Sequence, residues 1–276
     1  VHAKYRNDDF QFGLEIALGA AYRRCADVGE VLATVDRISD GDAAAWLREW
    51  TATADAARAA GEAAASRGRA SARSHFQRAA TYYATAIDMT PEPQRAREIW
   101  RRQRECWDRA VDLFPAPGER VAIPSEGTTL PAYVFRAPDA APGERRPLVV
   151  MNNGSDGATS QMWPPGRRRR GRARVPLAFR GEPYGVEGDS PYDLYQAVLA
   201  HRLGHEVARI TTPILTTDPE DEQFWPGQSR ELYERLPGPK EIVAFSAAEG
   251  ANRHCEPLGS ALREARIFDW LDGHLA

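Results

Sequence analysis

The sequence predicts an α/β fold carrying an N-terminal all-α domain, and three observations predict it. Residues 1–114 are rich in Ala, Arg, Glu and Trp with apolar residues at helical spacing. Pro115-Ala-Pro-Gly118 then marks a change of character, after which β signals dominate. Beyond it, short continuous apolar runs alternate with helical patterns, the signature of a sheet with crossover helices. The predicted organisation is a helical, cap-like domain at 1–118 and an α/β core at 119–276, interrupted at about 164–178.

Helices are expected over Phe12 to Arg24 and Val28 to Val35. Asp42 can cap a helix that starts at Ala43 and carries Trp46 and Trp50 on one face. The Ala-rich run to Arg67 continues as good helix material, with Gly68 as a break. Ser71 to Asp88 places Phe76, Ala79, Ala80, Tyr83 and Ile87 on one apolar face. Pro91-Glu92-Pro93 opens a further helix, to about Phe114, with Trp100, Trp107, Val111 and Phe114 on its buried side. Ala72-x3-Phe76-x2-Ala79 is similar to part of a tetratricopeptide repeat, but no second copy stands about 34 residues away, so a repeat array does not follow.

Glu119 to Pro124 and Leu130 to Arg136, around Ser125-Glu126-Gly127, read as a hairpin. Arg146 to Met151, Pro213 to Thr216 and Glu241 to Phe245 read as strands of a parallel sheet, the first buried on both faces. Helices are expected from Ser190 to about Arg202, where Ser190-Pro191-x-Asp193 is a good start, from Gly227 to Leu236, and from Leu258 to Leu275.

Composition excludes several classes. Hydrophobic content of 42% and charged content of 27% are globular values, not those of a disordered chain. The net charge of −3 argues against a nucleic-acid partner. No apolar run approaches the roughly 20 residues of a membrane helix, and Val1 to Arg6 lacks a signal-peptide core. The start at Val1 points to processing or a trimmed end. Three cysteines, Cys25, Cys106 and Cys255, with no C-x-x-C pair, fit neither a disulfide framework nor a zinc ribbon. A soluble, reduced, cytoplasmic protein is the expectation. His201-x3-His205 has metal-ligand spacing, but Gly204 interrupts the helix and no third ligand is evident, so no metal is expected. Glycine-rich phosphate loops are absent, and no cofactor is expected.

Sites in α/β sheets gather at the carboxyl ends of strands. Three such ends carry polar loops. Asn152-Asn153-Gly154-Ser155-Asp156-Gly157 could expose backbone N–H groups as an oxyanion hole, or be an ordinary turn. Asp218-Pro-Glu-Asp-Glu222 holds four carboxylates in five residues, which also suits a solvated loop. The third loop, Ala248 to Glu256, contains His254 between the last strand and the last helix. An acid after the penultimate strand and a histidine after the last reproduce the order acid, base of α/β hydrolases, with Asp221 and His254 33 residues apart.

These segments resemble a known group. Asp218-Pro-Glu-Asp-Glu-Gln-Phe-Trp-Pro-Gly-Gln228, Gly238-Pro-Lys240, Ala248-Glu-Gly-Ala251, His254-Cys-Glu256 and Phe268-Asp-Trp-Leu271 are similar to α/β hydrolases with an N-terminal helical domain. That group includes the fermentation–respiration switch esterase-like proteins, the fungal yellowish-green pigment hydrolases and 2,6-dihydroxypseudooxynicotine hydrolase. Asn153-Gly154-x-Asp156-Gly157 looks like their oxyanion loop, and Ala72, Arg73, Phe76, Ala79 and Tyr82-Tyr83 resemble their helical domain. The resemblance covers about 1–163 and 180–276. It implies an α/β-hydrolase core, Asp221 as acid, His254 as base, Gly154, Ser155 and Asp156 as the oxyanion loop, and no metal. It further implies a small-molecule substrate with an ester, amide or ketone-activated carbon–carbon bond, and a homodimer through the helical domain.

The group's serine nucleophile, in a G-x-S-x-G elbow, has no counterpart here. Between Trp163 and Phe179, on the order of 100 residues of central βα units are replaced by a run with six arginines in eight residues, 167–174, unsuited to a buried central strand. Such a run is ordinarily solvated. The central sheet is therefore expected to be incomplete. Three readings stay open: a spliced or out-of-frame version of a longer hydrolase, a pseudo-hydrolase that binds a small molecule or protein, or another nucleophile such as Cys255 or Ser155. For the chain as written, serine hydrolysis is expected to be absent or severely reduced.

Overall fold

The computed structural model describes residues 3–66, 68–90, 93–116, 118–125, 127–136, 144, 146, 148–152, 173–177 and 203–274. The expected oxyanion loop Gly154-Ser155-Asp156, the Ser190–Arg202 helix and most of the arginine run lie outside these residues. The chain forms two compact units, one within 2–180 and one within 181–276.

The first unit opens with helices α1 (Asp8–Gly19), α2 (Val28–Val35), α3 (Ala43–Ala64), α4 (Arg69–Ile87) and α5 (Pro93–Asp112). Side-chain caps set the first three starts: Asn7 accepts from the amides of Asp9 and Phe10, Asp27 from Glu30, and Asp42 from Ala45 at 2.8 Å. On α3, Trp46 and Trp50 are fully buried with ring centroids 5.8 Å apart. The Trp46 indole N–H is satisfied by the Thr85 carbonyl of α4 at 2.7 Å. Gly13 of α1 is needed for this packing, since a Cβ there would meet Trp46 at 2.9 Å. On α4 Phe76, Ala79, Ala80 and Tyr83 of the expected stripe are buried, Ile87 at the helix end is partly buried, and Tyr82 joins them, its hydroxyl donating to Glu30 at 2.6 Å. On α5 the buried side carries Ile99, Cys106, Trp107, Ala110 and Val111. Trp100, expected among them, is only partly buried, because Ile99 and Gln103 hold that side of the helix instead.

Strands β1 (Glu119–Ser125) and β2 (Thr128–Val134) form the expected hairpin, closed from Ser125↔Thr128, with Gly127 at φ +82° supplying the left-handed turn. The hairpin packs on α5: the Tyr133 and Trp107 rings meet edge-on at 6.2 Å, and the Tyr133 hydroxyl donates to Asp108. It thus shares a core with the helices, although the composition changes at Gly118. Strand β3 (Leu148–Asn152) pairs in parallel with β4 (Ala173–Leu177), and β4 meets β2 antiparallel at Ala132↔Leu177, so the order is β1-β2-β4-β3. Two expectations change here. A strand does form at the end of the arginine run, because it starts at Ala173 and takes in Arg174 alone of the six. And β3 is not buried on both faces: Leu148 and Val150, which as alternate residues share one face of the strand, are more than half exposed.

The second unit is a βαβ arrangement: β5 (Ile214–Pro219), α6 (Gln228–Arg235) and β6 (Lys240–Phe245), followed by α7 (Ser260–His274). β5 and β6 are parallel, in register from Ile214↔Lys240 to Pro219↔Phe245. Their residues are mostly half-buried, because the described sheet here has two strands only. No helix among the described residues is long and apolar enough to cross a membrane.

Candidate functional site

The site is built where β5 and β6 end. The ladder continues past the strands. The Glu220 amide donates to the Phe245 carbonyl at 2.8 Å, the Asp221 amide to the Asn252 carbonyl at 2.8 Å, and Asp221 forms an isolated parallel bridge with Arg253. This backbone zipper brings the acidic loop and the histidine loop together.

All four carboxylates of the acidic loop have partners. Asp218 pairs with Arg230 of α6, and Glu220 accepts the Ala247 amide at 2.7 Å. Asp221 accepts from the Asn252 amide side chain at 2.5 Å. Glu222 alone meets the imidazole, its carboxylate oxygens 2.7 and 2.9 Å from His254 Nδ1. The expected acid Asp221 and base His254 are therefore brought to the same ladder end, but no hydrogen bond joins Asp221 to the ring. The reason is the pleat. Successive side chains of an extended segment point to opposite faces, so Asp221 and Glu222 cannot both face the ring. With Asp221 opposite Arg253, Glu222 falls opposite His254. Sequence spacing could not separate neighbours that differ by one residue.

The pair is held from several sides. Glu222 also accepts from the amides of Phe224 at 2.9 Å and Trp225 at 3.1 Å. The His254 amide donates to the Gln223 side chain at 3.1 Å, and the Phe224 ring meets the imidazole edge-on at 4.9 Å. The Cys255 side chain beside it, and then Glu222, hold His254 well above the usual histidine range, at about 9, against partial desolvation. Glu222 is held below the usual carboxylate range: burial opposes this, and its hydrogen bonds to His254 and the two amides outweigh burial. At neutral pH the pair is an imidazolium on a carboxylate. Cys255 and Glu256 both have left-handed backbones, φ 60° and 45°, a costly conformation for residues other than glycine. The Arg263 guanidinium of α7 donates to the Cys255 carbonyl within this turn.

Two of the three described serines of the second unit are bonded locally. Ser246 forms a capping box with Glu249, and Ser260 donates to the Pro257 carbonyl at 2.7 Å. Ser229 lies in the first turn of α6. Among the described residues, no group of three or more His, Cys, Asp and Glu is placed to hold a metal ion.

No family model matches the sequence. Similar curated proteins include "Hydrolase ORFZ" of Pyricularia oryzae, 31% identical over 173 residues, which cover 59% of this chain and 41% of that protein. "Hydrolase acrC" of Aspergillus aculeatus is 31% identical over 201 residues, covering 66% of this chain and 46% of that protein. Among solved structures, AbyA5 superposes with a TM-score of 0.60 at 16% identity, over 88% of each chain, a likeness of fold. The chain is thus similar in sequence to proteins named hydrolases and similar in fold to AbyA5. It spans less than half the length of the curated relatives it matches.

Proposed function

We propose that the protein is a small-molecule hydrolase in which His254 is the general base and Glu222, in place of the neighbouring Asp221, is the carboxylate that orients it. The observation that carries this reading is the bidentate Glu222–His254 contact at 2.7 and 2.9 Å, at the carboxyl ends of two parallel strands. The substrate is an ester, amide or ketone-activated carbon–carbon bond. A nucleophile adds to its carbonyl carbon while its proton passes to the imidazole, and the imidazolium returns that proton to the leaving group. Glu222 fixes the ring by holding Nδ1, and in the proposed reaction the other ring nitrogen, Nε2, handles that proton. Backbone N–H groups of Ser155 or Asp156 are the proposed oxyanion donors. The 276 residues contain no G-x-S-x-G elbow, so the nucleophile is the open role.

Fluorophosphonate labelling of the purified protein, with ester turnover measured alongside, tests the proposal. Covalent labelling, and a turnover reduced at least about a hundredfold by His254→Ala, support it. An unlabelled protein whose residual turnover is unchanged by His254→Ala retires it. Saturable small-molecule binding without labelling would then favour the alternative, a binding module built on a hydrolase fold.

A further inference from the structure

Two residues after His254 in the same loop stands a third ionisable group that the proposed reaction does not use. Glu256 is 1% exposed, the most deeply buried carboxyl near the site. Its Oε1 has no hydrogen-bond partner among the described residues. Its Oε2 is 4.0 Å from the Arg263 guanidinium, which is itself engaged by the Cys255 carbonyl. The Thr217 side chain of β5 acts on the carboxyl in the direction that favours its ionised form. A buried carboxylate with so few partners is costly when ionised, and a neutral carboxyl in the same place is not. Burial accordingly raises the Glu256 carboxyl above its usual range, opposed by Arg263, Thr217 and His254 and reinforced by the Glu222 charge. Those four groups are the charged and polar neighbours that bear on it: Thr217 from β5, Glu222 from the loop after β5, His254 from its own loop and Arg263 from α7. The left-handed backbones of Cys255 and Glu256 follow directly on His254, whose ring meets Glu222, and the Glu256 side chain is buried.

We infer that Glu256 is a positioning residue for His254: its buried carboxyl anchors the left-handed turn that presents the imidazole to Glu222, and it gains or loses a charge that the imidazole feels. Neutral, Glu256 leaves one carboxylate on the imidazolium. Ionised, it adds a second and makes His254 a stronger base. The inference rests on the acid–base reading of His254 given above, but concerns a property of the ring that exists without substrate.

The experiment is therefore an NMR titration of the His254 imidazole in the full chain, free of any ligand, in the wild type and in Glu256→Gln, which preserves volume and hydrogen-bonding capacity. In the wild type the His254 signal should show, besides its main step near pH 9, an inflection above the ordinary carboxylate range of about 4.3. In Glu256→Gln that inflection should vanish, and His254 should become about threefold or more acidic. A folded Glu256→Gln protein with an unmoved His254 midpoint overturns the inference, even if it melts at a lower temperature, because a purely structural glutamate would do only that. If the variant does not fold, the wild-type curve still decides: a single step with no carboxyl-linked inflection overturns it. Absence of hydrolysis in every protein would sink the proposed function while leaving this titration to stand or fall by itself.

Discussion

Glu222 and Asp221 are chemically alike and adjacent, yet one holds an imidazole and the other an asparagine. Glu222→Gln should lower the His254 midpoint below about 9 while leaving the larger Cys255 contribution in place, whereas Asp221→Asn, which loses the Asn252 contact, should move it far less; imidazole NMR titration checks both. Because the base must be neutral to accept a proton, ester turnover should rise with pH up to about 9, close to tenfold per pH unit below it, and the rise should end earlier in Glu222→Gln. The same pair makes stability depend on pH. The raised His254 value stabilises fully below its ordinary 6.5, and that contribution is lost as pH rises through about 9. The lowered Glu222 value stabilises above its ordinary 4.5 and is lost as pH falls below it. Their joint contribution is therefore largest between 4.5 and 6.5. Melting temperatures of wild type and Glu222→Gln across pH 4 to 10 should differ most in that interval.

At the scale of elements, the site depends on how closely the histidine loop packs on the start of α7. A Cβ on Gly259 would fall 2.4 Å from the Ala251 Cβ, so Gly259→Ala must push apart the loop that leads to His254 and the turn before the helix. It should cost about 1–3 kcal/mol by denaturant unfolding and loosen the Glu222–His254 contact, seen as a lower His254 midpoint. In the helical region, Trp46 is fully buried and hydrogen-bonded. Trp46→Ala should cost about 3–5 kcal/mol, and Asp42→Ala, which removes a cap alone, about 1 kcal/mol. Such elements were legible in the sequence to within a few residues. Asp42 before an alanine-rich run, the spacing of Phe76, Ala79, Ala80 and Tyr83, and Ser125-Glu126-Gly127 between two alternating segments are local signals that need no distant partner. The inward face of α5 was less legible. Ile99 and Trp100 are adjacent apolar residues, and which of them faces inward depends on the rotation that packing against α4 selects.

For the molecule as a whole, the missing elbow governs what the chain can do. Ser246 and Ser260 are bonded within their own loops and Ser229 starts α6, so a fluorophosphonate-labelled peptide should map outside 203–274. Label recovered on any of these three would place the nucleophile inside the unit that also carries the base, and on Ser246 or Ser260 would require a local bond to break.

Local signals and order along the chain were enough to establish the helical first part, the strand–helix alternation after it, and an acidic loop and a histidine loop at consecutive strand ends. These depend on period, capping and turn chemistry, which neighbouring residues determine. Only the tertiary structure decided that Glu222 rather than Asp221 holds His254, that β3 exposes Leu148 and Val150, and that Glu256 is buried. Strand register and the direction of a left-handed turn depend on partners far away in sequence, and a one-residue change of register exchanges one face for the other.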